Sequence, residues 1–265
     1  MNIIITGPKG KMGKLITKVI AQREDMCVVA GIGPKGRDYI GEDIGVVAQI
    51  GSKLNALVAH DIESVIQQCD VIIDYSMVDF SMEVMEAALK HRKAVVCGTT
   101  GFSEEQFKRM EEISEEIPFL YAANTSRLVN LMYKLLEITA KAIGEASDVE
   151  IIDMHDRYKK DAPSGTAKEM GHVIAEALDR NLEDIAVYGR KGDGERIPKS
   201  IGYHSIRSGD ISSSHKVMFG LLGERLEITH HSYNWECFAQ GACEAAAFLF
   251  HKPPGFYTVS DVLKI

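Results

Sequence analysis

The sequence predicts an α/β fold in which a doubly wound parallel sheet is followed by an α+β domain with a mostly antiparallel sheet. Two observations carry this prediction. In the first 125 residues, short apolar runs alternate with helical patterns, which is typical of a parallel sheet covered by helices on both faces. After residue 126 come one long apolar helix and several segments of alternating polarity, which indicate antiparallel strands.

The parallel sheet is predicted from five apolar runs at residues 3–6, 27–32, 71–75, 94–97 and 119–122. Between the first two runs, apolar side chains recur at the i, i+3, i+4 spacing of a helix that packs on a sheet. These side chains are Met12, Leu15, Ile16, Val19 and Ile20.

The second part of the chain is predicted to begin with a helix over residues 129–143 and a strand over residues 149–154. A further helix is expected to begin at Pro163 and Ser164. Residues 202–233 are then typical of antiparallel strands, and residues 240–250 of a helix rich in small residues.

Composition excludes several classes of protein. The 265 residues leave room for about two domains, and the formal charge of −8 argues against a nucleic-acid partner. No apolar run approaches the ~20 residues of a membrane span, and the N-terminus lacks a signal-peptide pattern. The five cysteines show no CxxC spacing, so we expect reduced thiols, no metal site and a cytoplasmic protein.

A glycine-rich turn, GPKGKMG over residues 7–13, follows the first apolar run and opens the first helix. Glycine lets the backbone approach a pyrophosphate, whose charge is stabilised by free N–H groups and the helix dipole. Glycines in such a turn can also serve tight packing alone. The position between a strand and a helix favours a Rossmann-like dinucleotide site.

The second apolar run ends without the acidic residue that commonly binds the ribose hydroxyls of a dinucleotide. Gly33, Pro34 and Lys35 follow it instead. With Lys9 and Lys11 from the glycine turn, Lys35 could pair with a ribose 2′-phosphate, although a solvated lysine explains the same pattern. We therefore expect NADPH or NADH as cofactor, with NADPH favoured.

Another small-residue turn, GTTG over residues 98–101, follows the run at 94–97. Cofactors and substrates bind along the carboxyl edge of open parallel sheets. This turn is either a binding element or a simple reversal of the chain.

The stretch HDRYKKDAPSGTA over residues 155–167 combines three kinds of chemical group. His155 can hold or release a proton near neutral pH, since the reference pKa of histidine is about 6.5. Lys159 adds a positive charge. Ser164, Gly165 and Thr166 lie where a helix begins, so their N–H groups could bind a carboxylate. A proton donor, a cation and an anion site are what reduction of a carboxylated imine needs, whereas a surface loop explains each residue singly.

These segments resemble the dihydrodipicolinate reductase family, also called 4-hydroxy-tetrahydrodipicolinate reductases. HDRYKKDAPSGTA is similar to the family's H-x-x-x-K-x-DAPSGTA loop. The other similar segments are GPKGKMG, CGTTGF, AANTS followed by Asn130, residues 194–196, residues 207–210 and residues 223–230. Because they occur in the family's order, the resemblance spans nearly the whole chain.

The resemblance implies reduction of 4-hydroxy-tetrahydrodipicolinate in lysine and diaminopimelate biosynthesis. It implies a dinucleotide-binding domain, 1–126 with 236–265, a substrate-binding and oligomerisation domain, 127–235, and a homotetramer. His155 would be the general acid and Lys159 its cationic partner. The dicarboxylate substrate would be held by Thr100, Ser164, Gly165 and Thr166, beside Asp156. The cofactor would be held by Gly7, Lys9, Gly10, Lys11, Met12, Lys35, Gly98, Thr99, Thr100, Ala122, Ala123, Asn124 and Thr125.

Four residues depart from the family pattern. Asp156 stands where a second histidine is usual, and Trp235 where an arginine is expected. Thr125 and Leu128 stand where an aromatic residue and a glycine are usual. An acidic Asp156 facing a dicarboxylate would weaken its binding, and Asp156→His would then restore it. A related reductase of another carboxylated cyclic imine and a non-catalytic nucleotide-binding paralogue therefore stay open as alternatives, although retention of His155 and Lys159 speaks against the second.

Overall fold

The computed structural model describes residues 1–265. The chain forms two compact units. Unit 1 consists of Met1–Arg127 and Trp235–Ile265, and unit 2 of Leu128–Asn234. The functional roles that the sequence assigns to two domains stay predictions.

Unit 1 is built on a seven-stranded sheet in which every neighbouring pair is parallel. The strands are β1 (Asn2–Thr6), β2 (Cys27–Ile32), β3 (Val58–Ala59), β4 (Val71–Asp74), β5 (Ala94–Cys97), β6 (Pro118–Tyr121) and, from the C-terminal segment, β12 (Gly255–Tyr257). Their spatial order is β12-β6-β5-β4-β1-β2-β3.

Helices cover both faces of this sheet, because successive strand residues point to opposite sides. Ile3, Ile5 and Ile73 pack on one side, and Ile4 and Ile72 on the other. The helices of unit 1 are α1 (Lys11–Ile20), α2 (Ile44–Val47), α3 (Val78–His91), α4 (Glu104–Ser114), α8 (Glu236–Leu249) and α9 (Val259–Leu263). This confirms the predicted Rossmann-like domain.

Unit 2 contains a five-stranded sheet in the order β11-β10-β7-β9-β8. The strands are β7 (Asp148–His155), β8 (Ala186–Tyr188), β9 (Ile201–Arg207), β10 (Ser213–Leu221) and β11 (Glu224–Ser232). The long helix α5 (Arg127–Ile143) leads into this unit, and α6 (Gly165–Ala177) and α7 (Leu182–Ile185) lie within it. Met132 and Leu136 of α5 and Met170 and Ile174 of α6 form one core with the sheet.

The predicted mostly antiparallel sheet is confirmed for β7, β10 and β11, which form its long antiparallel pairs. One part of the prediction is wrong, because β9 and β8 run parallel to β7. Alternating polarity predicts a strand but not its direction, which depends here on the long connection that carries the chain back along α6. The helix predicted from residue 240 begins earlier, at Glu236.

The five cysteines are all free. None of the helices has the length and apolar character needed to cross a membrane. No group of three or more His, Cys, Asp or Glu side chains is placed to hold a metal ion.

Candidate functional site

The candidate cofactor site of unit 1 lies at the carboxyl edge of its sheet. The strand order reverses between β1 and β4, and a crevice at such a point is where open α/β sheets bind ligands. The glycine turn follows β1, the turn at 98–101 follows β5, and residues 122–125 follow β6. Because parallel strands end at one edge, the structure places all three predicted cofactor segments there.

The glycine turn has little room for side chains. Gly7 has φ +62°, and a Cβ on it would lie 2.7 Å from the carbonyl oxygen of Tyr75. A Cβ on Gly13 would overlap the carbonyl oxygen of Gly7. Gly10 caps α1 without a side chain, so bare backbone forms the positive end of the helix. A dinucleotide pyrophosphate fits these features.

The three lysines predicted to face a ribose phosphate have different surroundings. The Lys9 ammonium lies 3.3 Å from Asp38 Oδ1 and 4.9 Å from the centre of the Tyr39 ring, beyond the end of β2. Lys35 is exposed in the same loop, as is Arg37, which the sequence reasoning did not single out. Lys11 instead lies over the ring of Trp235, at the start of α8.

The other two turns use their side chains mainly within the protein. The Thr99 hydroxyl donates to Asp74, and the Thr125 hydroxyl donates to the Phe238 carbonyl oxygen. Thr100 and Ala123 are exposed, whereas Ala122 is buried and Asn124 is half-buried. A Cβ on Gly98 would overlap the Tyr75 ring, so this glycine is needed for packing.

Asp74 connects several elements at this edge of the sheet by hydrogen bonds. Its fully buried carboxylate accepts hydrogen bonds from the hydroxyls of Thr6, Ser76, Ser81 and Thr99, at 2.5, 2.6, 2.5 and 3.0 Å. These donors come from β1, from the start of α3 and from the turn after β5. Asp74 was not identified from the sequence, although a single carboxylate closing the apolar strand VIID is the signal that marks it.

In unit 2, one face of the sheet is apolar at one end and polar at the other. On β7, Val149 and Ile151 point into the core, and the next two residues on that face are Asp153 and His155. On β10, Val217 and Phe219 are preceded on that face by His215, which lies opposite Asp153. The period of two that builds the core therefore also gathers the chemical groups at the end of β7.

Asp153 orients His155. The Asp153 carboxylate is 1% exposed and lies 2.8 Å from His155 Nδ1 and 2.8 Å from Arg207 Nη1. Burial alone would raise the pKa of this carboxyl, but hydrogen bonds from His155, Arg207, Ser164 and Ser205 outweigh burial and hold the pKa well below its usual value. An ionised carboxylate can only accept, so Nδ1 carries the ring proton that it receives. Nε2 is left as the position for proton transfer.

The start of α6 is fixed by the same cluster. The Ser164 N–H donates to Asp153 Oδ2 at 2.8 Å, and the Ser164 hydroxyl oxygen accepts from the Ala167 N–H as the helix cap. His215 Nε2 lies 3.1 Å from the same hydroxyl. Burial and then the neighbouring His155 lower the pKa of His215 to about 3, so His215 is neutral at physiological pH.

The remaining predicted residues lie along the loop between β7 and α6. Lys159 pairs with Asp161 at 2.8 Å and lowers the pKa of that carboxyl by donating a hydrogen bond to it. Gly165 is exposed and Thr166 half-buried at the start of α6. Asp156 accepts a hydrogen bond from the Tyr158 N–H at 2.8 Å, so one of its oxygens is turned towards its own loop.

Two family models match the chain. The one described as the N-terminus of dihydrodipicolinate reductase matches residues 1–125, and the one described as its C-terminus matches residues 128–263.

Relatives named 4-hydroxy-tetrahydrodipicolinate reductase align with almost the whole chain. The relative from Hahella chejuensis is 44% identical over 98% of this chain and 98% of its own. The relative from Burkholderia thailandensis is 42% identical over 99% of this chain and 98% of its own.

A solved structure, described as dipicolinate-bound dihydrodipicolinate reductase from Paenisporosarcina sp. TG-14, is similar with a TM-score of 0.79. It is 25% identical and covers 97% of each chain. An amine dehydrogenase from Mycobacterium smegmatis, 12% identical with a TM-score of 0.67 over 98% of this chain and 95% of its own, shares the fold alone.

Proposed function

This chain belongs to the dihydrodipicolinate reductase family, and we propose that it reduces 4-hydroxy-tetrahydrodipicolinate to tetrahydrodipicolinate in lysine and diaminopimelate biosynthesis. The observation that supports this most is the polar end of the unit 2 sheet. There a histidine oriented by a buried carboxylate lies beside a helix start that the same carboxylate holds. A small dicarboxylate with a reducible ring carbon needs such a combination.

The residues of unit 2 divide the chemistry between them. A bound nicotinamide supplies the hydride. The overall reaction takes up one hydride and one proton and releases the 4-hydroxyl group as water. His155 supplies the proton from Nε2, because Nδ1 donates to Asp153. Ser164, Gly165 and Thr166 hold a substrate carboxylate at the positive end of α6. The substrate replaces Asp161 as the anionic partner of Lys159.

Asp156 does not argue against this substrate. Its carboxylate is engaged by the Tyr158 N–H, which favours the interpretation that it serves the turn and not the ligand.

Enzyme assays test the proposed function. Loss of reduced-nicotinamide absorbance is followed with freshly prepared dihydrodipicolinate precursor, and calorimetry measures binding of dipicolinate, the planar analogue of the substrate. We expect turnover, and tighter dipicolinate binding by the wild type than by Lys159→Ala. Lys160→Ala, a change of the exposed neighbouring lysine, is the matched control. Turnover of a different cyclic imine alone would point to the related reductase, and dinucleotide binding without any turnover would point to the paralogue.

The cofactor is a nicotinamide dinucleotide, and we propose a preference for NADPH. Lys9, Lys35 and Arg37 supply positive charge beyond β2, and the carboxylate of Asp38 next to Arg37 is paired with Lys9. Lys35→Glu should weaken NADPH binding roughly ten- to hundredfold and leave NADH binding near wild type, since a charge-assisted phosphate bond is worth about 1.5–3 kcal/mol. Calorimetric titration with both nucleotides decides, and a wild type that clearly prefers NADH would contradict the assignment.

We also propose a cytoplasmic homotetramer built on the second face of the unit 2 sheet. That face carries the partly exposed apolar side chains of Ile152, Met154, Ile206 and Met218. A group of apolar side chains exposed to water is typical of a surface that binds another protein chain. Light scattering of the wild type and of Ile206→Glu tests this, with a smaller species expected for the variant.

A further inference from the structure

Trp235 is the only tryptophan of the chain and lies at the start of α8. Its side chain is 42% exposed, so it is not a core residue. It packs edge-on against Phe238, one turn further along, with ring centres 5.6 Å apart. The Phe238 contact fixes the indole ring and leaves the rest of its surface for another contact.

That contact is made by the glycine turn. The Lys11 ammonium lies 3.4 Å from the centre of the Trp235 ring, and Lys11 is the first residue of α1. An aromatic face attracts an ammonium group without cancelling its charge. A lysine side chain loses considerable conformational freedom when it is fixed, and here the indole fixes it before any ligand arrives.

We propose that Trp235 is a positioning residue which holds the Lys11 ammonium at the start of α1 for the pyrophosphate of the cofactor. This rests on the proposed function, since it requires a dinucleotide at the glycine turn. Lys11 then has a different role from Lys9 and Lys35, which are proposed to face the ribose 2′-phosphate. Lys35 lies in the loop after β2, and the Lys9 side chain contacts Asp38 and Tyr39 of that loop. The Lys11 side chain instead lies over Trp235 of α8, at the start of α1, where a pyrophosphate would bind.

A role of Lys11 at the pyrophosphate predicts how its loss affects NADH and NADPH. NADH and NADPH share the pyrophosphate, and only NADPH has the 2′-phosphate. Loss of the Lys11–Trp235 pair therefore weakens both nucleotides by the same factor, whereas Lys35→Glu acts on NADPH alone. The opposite possibility is that Trp235 withholds Lys11 from the cofactor, in which case removing the indole would tighten binding.

Calorimetric titration of the full-length protein with NADPH and with NADH tests the proposal. Trp235→Leu should weaken both roughly three- to tenfold, as expected for a cation–π contact that is lost, and Trp235→Phe by less. Lys11→Met should have an effect at least as large, and adding Trp235→Leu to it should cost little more, because the two residues act as one unit. The matched control is Lys14→Met, a change of a lysine on the same helix that bonds to Gln49.

The outcomes separate the two proposals. Unchanged or tighter binding by Trp235→Leu, or fully additive effects in the double variant, would overturn the positioning role. A loss confined to NADPH would overturn the pyrophosphate assignment. Failure of the wild type to bind either nucleotide would overturn the proposed function itself. Circular dichroism shows whether each variant is folded. If Trp235→Leu does not fold, the binding data of Trp235→Phe and Lys11→Met decide.

Discussion

Asp74 of unit 1 and Asp153 of unit 2 are both buried carboxylates near the carboxyl end of a strand, but their partners differ. Asp74 collects four hydroxyl groups, which are neutral at every working pH. Asp153 collects a histidine, an arginine, a serine hydroxyl and a backbone N–H. The first arrangement fixes geometry alone, and the second fixes geometry and charge. We infer that unit 1 shapes an edge for binding, whereas unit 2 prepares a proton for transfer.

The largest expected effect lies on the Asp153 side. His155→Gln keeps a polar side chain but removes the transferable proton, so kcat should fall by about 10²–10⁴, the usual contribution of a general acid. NADPH affinity, measured by calorimetry, should stay near that of the wild type. His172→Gln, a change of an exposed histidine on α6, is the control. Near-normal turnover by His155→Gln would exclude it as the proton donor and remove the main difference between the two aspartates.

Asp153→Asn tests whether the carboxylate acts through His155. An amide cannot satisfy His155, Arg207 and Ser164 together, because it offers one accepting oxygen and adds two donors. We expect kcat to fall roughly ten- to hundredfold, less than for the loss of the histidine itself, since orientation is impaired but the ring remains. Steady-state assays with saturating cofactor measure this. Asp148→Asn, at the exposed opposite end of β7, should retain most of its activity.

The catalytic candidates could be found from the sequence, but the residues that orient them could not. His155, Lys159 and the serine-glycine-threonine run lie within one short segment, so their chemistry is visible in the order of residues. The role of Asp153 depends on its hydrogen bonds with Ser205 and Arg207, which lie on β9 more than fifty positions away in the sequence. His215 comes from β10 in the same way. A lone carboxylate at the end of an apolar strand is the one local signal, and it marks Asp74 alone. Asp153 shares its strand with Asp148 and Glu150, so the sequence does not single it out.

Asp74→Asn should act on stability more than on chemistry. The substitution leaves at least one of the four hydroxyls without an acceptor, which costs about 1–3 kcal/mol for a buried group, and three of the four are buried. Trp235 emission reports urea unfolding of unit 1, because Trp235 is the single tryptophan and belongs to that unit. We expect a lower unfolding midpoint and weaker cofactor binding, with a much smaller change in kcat than for Asp153→Asn. A loss of kcat as large as that of Asp153→Asn would show that the two carboxylates do not differ in role.

The parts of the fold that the sequence did not predict are short or depend on distant pairing. β3 has two residues and β12 three, too few for any periodic pattern to stand out. The direction of β9 is set by its pairing with β7, not by its own residues. By contrast, the glycine turn and the alternation of strand and helix were predicted because each is a local pattern with one physical cause.

The smallest expected effect is the response of the two units to acid. Burial lowers the folded-state pKa of His215 to about 3, against an unfolded value of about 6.5. The unfolded chain therefore takes up a proton first as pH falls below about 6.5, and His215 lowers stability by up to about 1.4 kcal/mol per pH unit below that value. The stability that the neutral His215 contributes is fully present above pH ~6.5 and is lost towards lower pH.

Urea unfolding followed by two signals tests this acid response. Between about pH 7.5 and pH 5.5, the urea midpoint from circular dichroism, which senses both units, should fall more than the midpoint from Trp235 emission. His215→Gln should flatten the pH dependence of the circular-dichroism midpoint even if it lowers stability at neutral pH. Equal acid sensitivity of wild type and His215→Gln would show that the buried histidine does not make the stability of unit 2 depend on pH. The clusters around Asp153 and Asp74 would then differ in geometry but not in their response to acid.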